Sequence, residues 1–357
     1  MERGILNLIN YGDHSRWAHV IICLTEAGEF AKQISAPNCR IIELHKQAGN
    51  DVRIVARLAA AARKNDIHIF HARGWPTLVE TALASRLANV RRTVYGFHGK
   101  TMSELSGLSP ARAIAQAVFI RAYDKVVTLN GAMCADLARQ ARVNPAHIRV
   151  IGNGVDVGRF CPVADRRSSR VALGLPTDRF IVGTVSRLDP IKNHEVILRA
   201  IALLQSSGSA PFLVIVGEGE HRPALEALVR DLKISDSVRL TGFSNAIPEF
   251  MKAMDCYVQA SFYEGFSNTV LEAMACGLPV LATDVGGTRE FLCRGHDEVF
   301  FAPHDVEALA GRLCALQLDE ATCHRLGRAN RTTAVDRYSV EQMVRAYEAM
   351  YEELAGI

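Results

Sequence analysis

Two sets of short β-branched runs fill this chain, each set alternating with helix-patterned stretches, and one turn-rich connector separates them. In the first set "HVIICL" (19–24), "IHIFHA" (67–72), "RTVYGF" (92–97), "KVVTL" (125–129) and "IRVIG" (148–152) read as strands. Between them "DVRIVARLAAAARK", "PTLVETALASRLA" and "ARAIAQAVFIRAY" carry apolar residues three and four apart, the helical spacing. After "NGVDVGRFCP" (153–162) the rhythm restarts with "FIVGTVS" (180–186), "FLVIVG" (212–217), "SVRLTG" (237–242), "DCYVQA" (255–260) and "PVLATD" (279–284). Such alternation predicts parallel sheets covered by helices on both faces.

The fold class is therefore α/β, with two doubly wound, Rossmann-like domains. The boundaries expected are 1–155 for the first domain and 156–335 for the second. A helix at 336–357 is expected to pack back toward the first domain. Ligands of such sheets bind at the carboxyl ends of the strands, which places the expected site in a cleft between the domains.

Bulk properties exclude several classes. No run of about 20 apolar residues exists to span a membrane. The first residues show no basic flank, apolar run and small-residue cleavage site, so they do not read as a secretory signal. The cysteines at 23, 39, 134, 161, 256, 276, 293, 314 and 323 form no C-x-x-C pair, which favours reduced thiols in a cytoplasmic protein. Net charge is +3, with a basic first half (21 Lys/Arg against 12 Asp/Glu in residues 1–160). That asymmetry suits an anionic partner, either a phosphate-bearing acceptor or the cytoplasmic face of a membrane, or it is a plain basic surface. The helix at 109–125 carries Arg112 and Arg121 beside Ile114, Val118 and Phe119. It reads either as a peripheral membrane contact or as the core face of a surface helix, and the second reading is preferred. Basic residues do not interleave with aromatics as in nucleic-acid binders.

The densest chemical signal is "ASFYEGFSNTVLEAMACGLPVLATDVGGTREF" (260–291). A strand ends near Ala260, a loop carries Glu264 and Gly265, and a helix opens at Ser267–Asn268, good capping types. A helix N-terminus offers unpaired N–H groups to an anion. Glu264 and Glu272 are expected on opposite sides of that seat, as acceptor-only groups for sugar hydroxyls. This pattern suggests a nucleotide with sugars on both sides of its diphosphate. In "GTVSRLDPIKNHEVIL" (183–198), Arg187 and Lys192 stand between a strand and a helix, placed to neutralise such a diphosphate.

Together these stretches resemble the retaining glycosyltransferases of family 4, which have the two-domain GT-B fold. "EGFSNTVLEAMACGLPV" is similar to that family's E-x7-E motif and "SRLDPIKN" to its phosphate motif. "VGEGEHRPALE" and "LTGF" resemble its nucleobase loops, and "IGNGVDVGRFCP" its hinge. A weaker likeness, carried by "ERGILNLIN", "HVIICLTEAGEF" and "ELHKQAGND", is to sugar transferases of bacterial exopolysaccharide loci.

The resemblance implies roles on the matching positions. Glu264 would hold hydroxyls of the donor hexose and Glu272 those of the ribose. Arg187 and Lys192 would bind the diphosphate. Backbone amides of Gly265, Phe266, Ser267 and Asn268 would contact sugar and phosphate, with Thr269 in the same donor-binding group. Gly219 and Phe243 would border the base, and His98 in "YGFHGK" would stand by the reacting sugar. The implied partners are a UDP- or GDP-sugar and a glycan or lipid-linked acceptor. No aspartates stand two apart as a metal-binding D-x-D, so a metal-independent reaction with no cofactor is expected. Alternatives are a GT-B epimerase or phosphorylase, or a catalytically impaired nucleotide-sugar binder.

That last alternative arises from the opening. "MERGILNLIN" already reads as a helix, whereas family members begin with a strand and a glycine loop. The expectation is that the first, central strand is missing, leaving its two neighbours with unpaired backbone groups.

Overall fold

The computed structural model describes residues 2–49, 51–99, 109–208, 211–292 and 297–357. The chain forms two compact units: Met1–Gly154 with Val340–Ile357, and Val155–Ser339. The later joint falls beyond residue 335 because the helical pattern runs on to Tyr338.

In the first unit the strands are β1 (His19–Cys23), β2 (Cys39–Glu43), β3 (Ile69–Arg73), β4 (Arg92–Phe97), β5 (Lys125–Thr128) and β6 (Ile148–Val150). The helices are α1 (Glu2–Asn10), α2 (Arg53–Lys64), α3 (Trp75–Ala88), α4 (Pro110–Phe119) and α5 (Gly131–Ala141). All pairings are parallel, but the strands form two sheets, β1-β2 and β3-β4-β5-β6. The sequence reading missed β2, a short strand whose side chains stay half-buried or exposed. The core-face reading of the 109–125 helix is corrected: Ile114 and Val118 are 66% and 57% exposed, and Gln116 is the buried residue of α4.

The second unit contains β7 (Ile181–Val185), β8 (Phe212–Val216), β9 (Val238–Gly242), β10 (Cys256–Gln259), β11 (Val280–Thr283) and the two-residue β12 (Phe300–Phe301). Its helices are α6 (Arg166–Leu173), α7 (His194–Ser206), α8 (Arg222–Asp231), α9 (Ile247–Ala253), α10 (Asn268–Ala275), α11 (Thr288–Phe291), α12 (Val306–Leu318) and α13 (Glu320–Tyr338). One parallel sheet runs in the order β12-β11-β10-β7-β8-β9. β7 and β10 are buried along their whole length, as strands covered on both faces must be.

The last helix, α14 (Val340–Ala355), belongs to the first unit. Its Met343, Val344, Tyr347 and Met350 join Leu8 of α1, Val94 of β4 and Val127 of β5 in one cluster. No disulfide joins the described cysteines, and Cys293 lies outside the described residues.

Candidate functional site

In the second unit the strand order reverses between β7 and β10. β8 and β9 continue on one side, β11 and β12 on the other. Open parallel sheets bind ligands at the carboxyl end of such a switch point, where successive crossovers depart to opposite faces. The segments after β7 and β10 flank it, and they carry Arg187, Lys192 and Glu264.

Lys192 and Glu264 meet directly. Lys192 Nζ donates to Glu264 Oε2 at 2.7 Å, with the two side chains 21% and 13% exposed. Ser261 Oγ donates to the same oxygen at 3.4 Å. Asn193 holds the Lys192 loop in place. Its φ of 52° turns the chain, and its Nδ2 donates to the carbonyls of Ala260 (3.1 Å) and Pro303 (2.7 Å). Arg187 is not brought to Glu264: its side chain is 78% exposed and pairs with Asp189 Oδ2 at 2.9 Å.

Helix α10 starts where its sequence requires. Ser267 caps it, its Oγ accepting from Val270 N–H at 3.4 Å. Asn268 and Thr269 open the first turn, and Glu272 follows one turn on. The Tyr257 hydroxyl lies 2.8 Å from Thr269 Oγ1 and 3.2 Å from the Val185 carbonyl. Burial raises the Tyr257 pKa, hydrogen bonds from Thr269 and Val185 oppose this, and the charges of Glu272 and Glu264 add to it. Both acidic residues therefore act on one buried ring under the helix start. Gly265 precedes this turn, while the Phe266 ring packs on Phe291 and Tyr338 with centroids 5.1 and 6.0 Å away. The ring is thus part of the core.

Three glycines let the loops approach backbone to backbone. A Cβ on Gly217 would lie 1.8 Å from the Ser186 carbonyl oxygen, and one on Gly219 would lie 2.3 Å from that of Leu188. A Cβ on Gly286, whose φ is +57°, would lie 1.9 Å from the Glu264 carbonyl oxygen. The sequence reading includes Gly219 but not Gly217, Gly286, Asn193 or Tyr257. The Gly-Gly pair of "DVGGTRE" was the available signal for Gly286. Phe243 follows β9 and is 76% exposed, at the same carboxyl end of the parallel strands as the β8 loop that holds Gly219.

His194 opens α7 beneath these loops, its Nε2 2.8 Å from Ser186 Oγ. Burial, with the Lys192 and His221 charges adding to it, lowers its pKa to about 4. In the first unit His98 follows β4. Its Nε2 sits where a Cβ on Gly96 would come within 2.5 Å, and His71 Nε2 within 3.3 Å. Burial, then the Arg73 charge, holds both imidazoles well below the usual histidine range, so they are neutral.

Residues 165–333 match the family described as glycosyl transferases group 1, and residues 1–159 match glycosyltransferase family 4. Each half is a glycosyltransferase domain. Among curated glycosyltransferases the chain is 32% identical to a D-inositol 3-phosphate glycosyltransferase of Streptomyces scabiei, over 54% of this chain and 47% of that protein. It is 24% identical to an Escherichia coli UDP-Gal:alpha-D-GlcNAc-diphosphoundecaprenol alpha-1,3-galactosyltransferase, over 88% of this chain and 82% of that one. The chain spans about half the length of the Streptomyces relatives it matches. Among solved structures, Anabaena Alr3699/HepE in complex with UDP superposes with a TM-score of 0.85 at 22% identity, over 99% of this chain and 96% of that one. The fold of this chain is GT-B, with two Rossmann-like domains. No described helix is long and apolar enough to cross a membrane.

Proposed function

We propose that this chain transfers a hexose from a nucleoside-diphosphate sugar to a glycan or lipid-linked acceptor, with retention at the anomeric carbon and without a metal ion, in exopolysaccharide assembly. The Lys192–Glu264 pair at the β7/β10 switch point, beside the capped start of α10, carries this reading. It sets a cation and a carboxylate side by side at a helix N-terminus, as a sugar diphosphate requires. Glu264 accepts from hexose hydroxyls and Glu272 from ribose hydroxyls. Lys192, Arg187 and the amides of Gly265, Phe266, Ser267 and Asn268 face the diphosphate. Thr269 extends that set, Gly219 and Phe243 border the base, and His98 serves the acceptor side.

As the bond from anomeric carbon to phosphate oxygen breaks, its electron pair goes to the diphosphate. Cations and helix N–H groups fixed beforehand lower the energy of that charge. The acceptor oxygen bonds to the same face of the sugar, and its proton passes to the departing phosphate oxygen. The donor names carried by relatives, UDP-galactose in the E. coli protein and UDP-glucose on HepE, favour a UDP-sugar.

The test is a screen of UDP- and GDP-sugars with purified protein, scored by nucleoside diphosphate release with and without chelator. Release abolished by chelator, or no release with any donor, overturns the proposal. The split sheet of the first unit favours a second reading, donor binding without transfer. Calorimetric binding of a UDP-sugar without release in any acceptor mixture selects it.

A further inference from the structure

Arg73, the last residue of β3, is a buried cation without a counter-ion. It is 9% exposed. Among the described residues no carboxylate pairs with it, and its Nη2 has no hydrogen-bond partner. Its guanidinium carbon lies 5.1 Å from the centre of the Tyr347 ring. A ring face offsets only part of the cost of taking a cation out of water.

Two imidazoles beside it are also unsatisfied. His71 Nε2 and His98 Nε2 are buried without a partner, and a Cβ on Gly96 would lie 3.3 and 2.5 Å from them. Glycine at 96 thus leaves one small space that both nitrogens share. Arg73 is the first charge acting on each ring, and no carboxylate acts on either. Buried polar atoms of a folded chain are normally paired, so three orphans in one cluster call for a ligand.

The hydrogen bonds already made turn this cluster into a set of donors. Arg73 donates to the Tyr351 oxygen of α14. The Tyr351 hydroxyl lies 2.7 Å from His71 Nδ1 and gives its proton there, which leaves His71 Nε2 carrying the ring's hydrogen. The first turn of α1 closes the group: a Cβ on Gly4 would sit 3.7 Å from Arg73 Nη1 and 3.3 Å from Asn153 Oδ1. Free N–H groups of a helix start add positive potential. His71, Arg73 and Tyr351 line a cavity of about 800 Å³, so a ligand has room beside them. A guanidinium, an imidazole donor and a helix start that converge make an anion seat.

Which anion follows from the number of donors. A guanidinium fork takes both oxygens of a carboxylate and leaves none for the imidazoles. A phosphoryl group has a third terminal oxygen to offer them. We infer that Arg73, with His71 and His98, seats a phosphoryl group carried by the acceptor substrate. Its assignment to the acceptor rests on the transferase reading, which gives the donor diphosphate to Lys192 in the second unit. The seat itself does not rest on that reading.

The experiment titrates the full chain with methyl phosphate in about 0.15 M chloride and follows the imidazole nitrogen signals of His71 and His98 by NMR. Both sets should move, with half-saturation at or below about 1 mM. Lys192→Ala should leave these shifts in place, whereas Arg73→Met and Arg73→Lys should each weaken binding about tenfold or more. Arg73→Met should also keep or raise the thermal midpoint, because it removes a buried charge that lacks a partner. No movement of the signals overturns the inference, and so does acetate binding as tightly as methyl phosphate. A lowered midpoint in Arg73→Met without weaker binding marks a structural anchor and overturns it too. Displacement of methyl phosphate at lower concentration by glucose 1-phosphate than by farnesyl phosphate places the phosphoryl group on a sugar, and the reverse order places it on a lipid. Displacement by neither overturns the assignment to an acceptor. Donor release without methyl phosphate binding overturns the seat alone. Methyl phosphate binding without donor release in any acceptor mixture keeps the seat and overturns its assignment to an acceptor.

Discussion

Lys192 and Glu264 come from segments after different strands, 72 residues apart in sequence, and meet at 2.7 Å where the strand order of the second sheet reverses. Each side chain is mostly covered, so each is the counter-charge that keeps the other oriented. On the proposed function, a sugar diphosphate arriving there would meet both partners already in place, leaving little reorganisation for the reacting step.

Removing either partner should therefore damage turnover more than stability. Glu264→Gln and Lys192→Ala are each expected to reduce nucleoside diphosphate release about 10²–10³-fold, the range for losing one preorganised contact to developing charge. The double variant should be little worse than the poorer single one, because the two groups act as a unit. Steady-state rates of the three variants check this, and strictly multiplicative losses contradict the pairing.

Backbone contact at Gly219 and Gly286 gives a second expectation. Alanine at 286 puts a Cβ against the Glu264 carbonyl and demands a φ that L-residues disfavour. Alanine at 219 forces the β7 and β8 loops apart at Leu188. Both variants should bind donor nucleotide at least tenfold more weakly and lower the thermal midpoint. Gly311→Ala is the control. It lies inside α12 with open space around it, so it should stabilise the protein by about 0.5–1 kcal/mol. Calorimetric unfolding and nucleotide titration of the three variants decide the matter.

A third expectation concerns a buried charge far from the chemistry. Asp255 precedes β10, accepts from Arg170 Nη2 at 2.6 Å and also from the Ile181 amide at 2.7 Å. The Arg170 side chain is only 9% exposed. Asp255→Asn leaves that guanidinium buried without its counter-ion, which costs about 3–5 kcal/mol when a buried pair is broken. Denaturant unfolding of the second unit should show a loss of this size, and a loss below about 1 kcal/mol contradicts it.

What the sequence shows of this protein depends on how local each feature is. The α/β alternation and the start of α10 are written in periodicity and capping chemistry within a few residues, and both are legible. Strand β2 is not, because five half-buried or exposed residues, Arg40 and Glu43 among them, carry no burial signal. The contact between Gly286 and Glu264 is illegible for another reason: it joins two loops through backbone atoms, which have no side-chain signature. Ile114 and Val118 show the limit of a periodic pattern. Apolar spacing marks a stripe on α4, but only the packing shows that the stripe faces out. The Asp255–Arg170 pair is hidden similarly, since each residue alone reads as a surface charge.

Acid sensitivity follows from His194. Buried at 1% exposure beside Ser186 Oγ, it has a folded pKa of about 4 against an ordinary value of 6.5. Below pH 6.5 the unfolded chain takes up a proton that the folded chain refuses. Stability from this residue is fully present above pH 6.5 and is lost as pH falls toward 4, at about 1.4 kcal/mol per unit. His71 and His98 act with the same sign in the first unit, so the test must compare variants rather than absolute curves. His194→Gln keeps a polar partner for Ser186 and cannot be protonated. Urea unfolding at pH 7.5, 6.5, 5.5 and 4.5 should give this variant a shallower acid slope than the parent, the two diverging by about 2–3 kcal/mol at the lowest pH. Parallel curves place the acid sensitivity elsewhere.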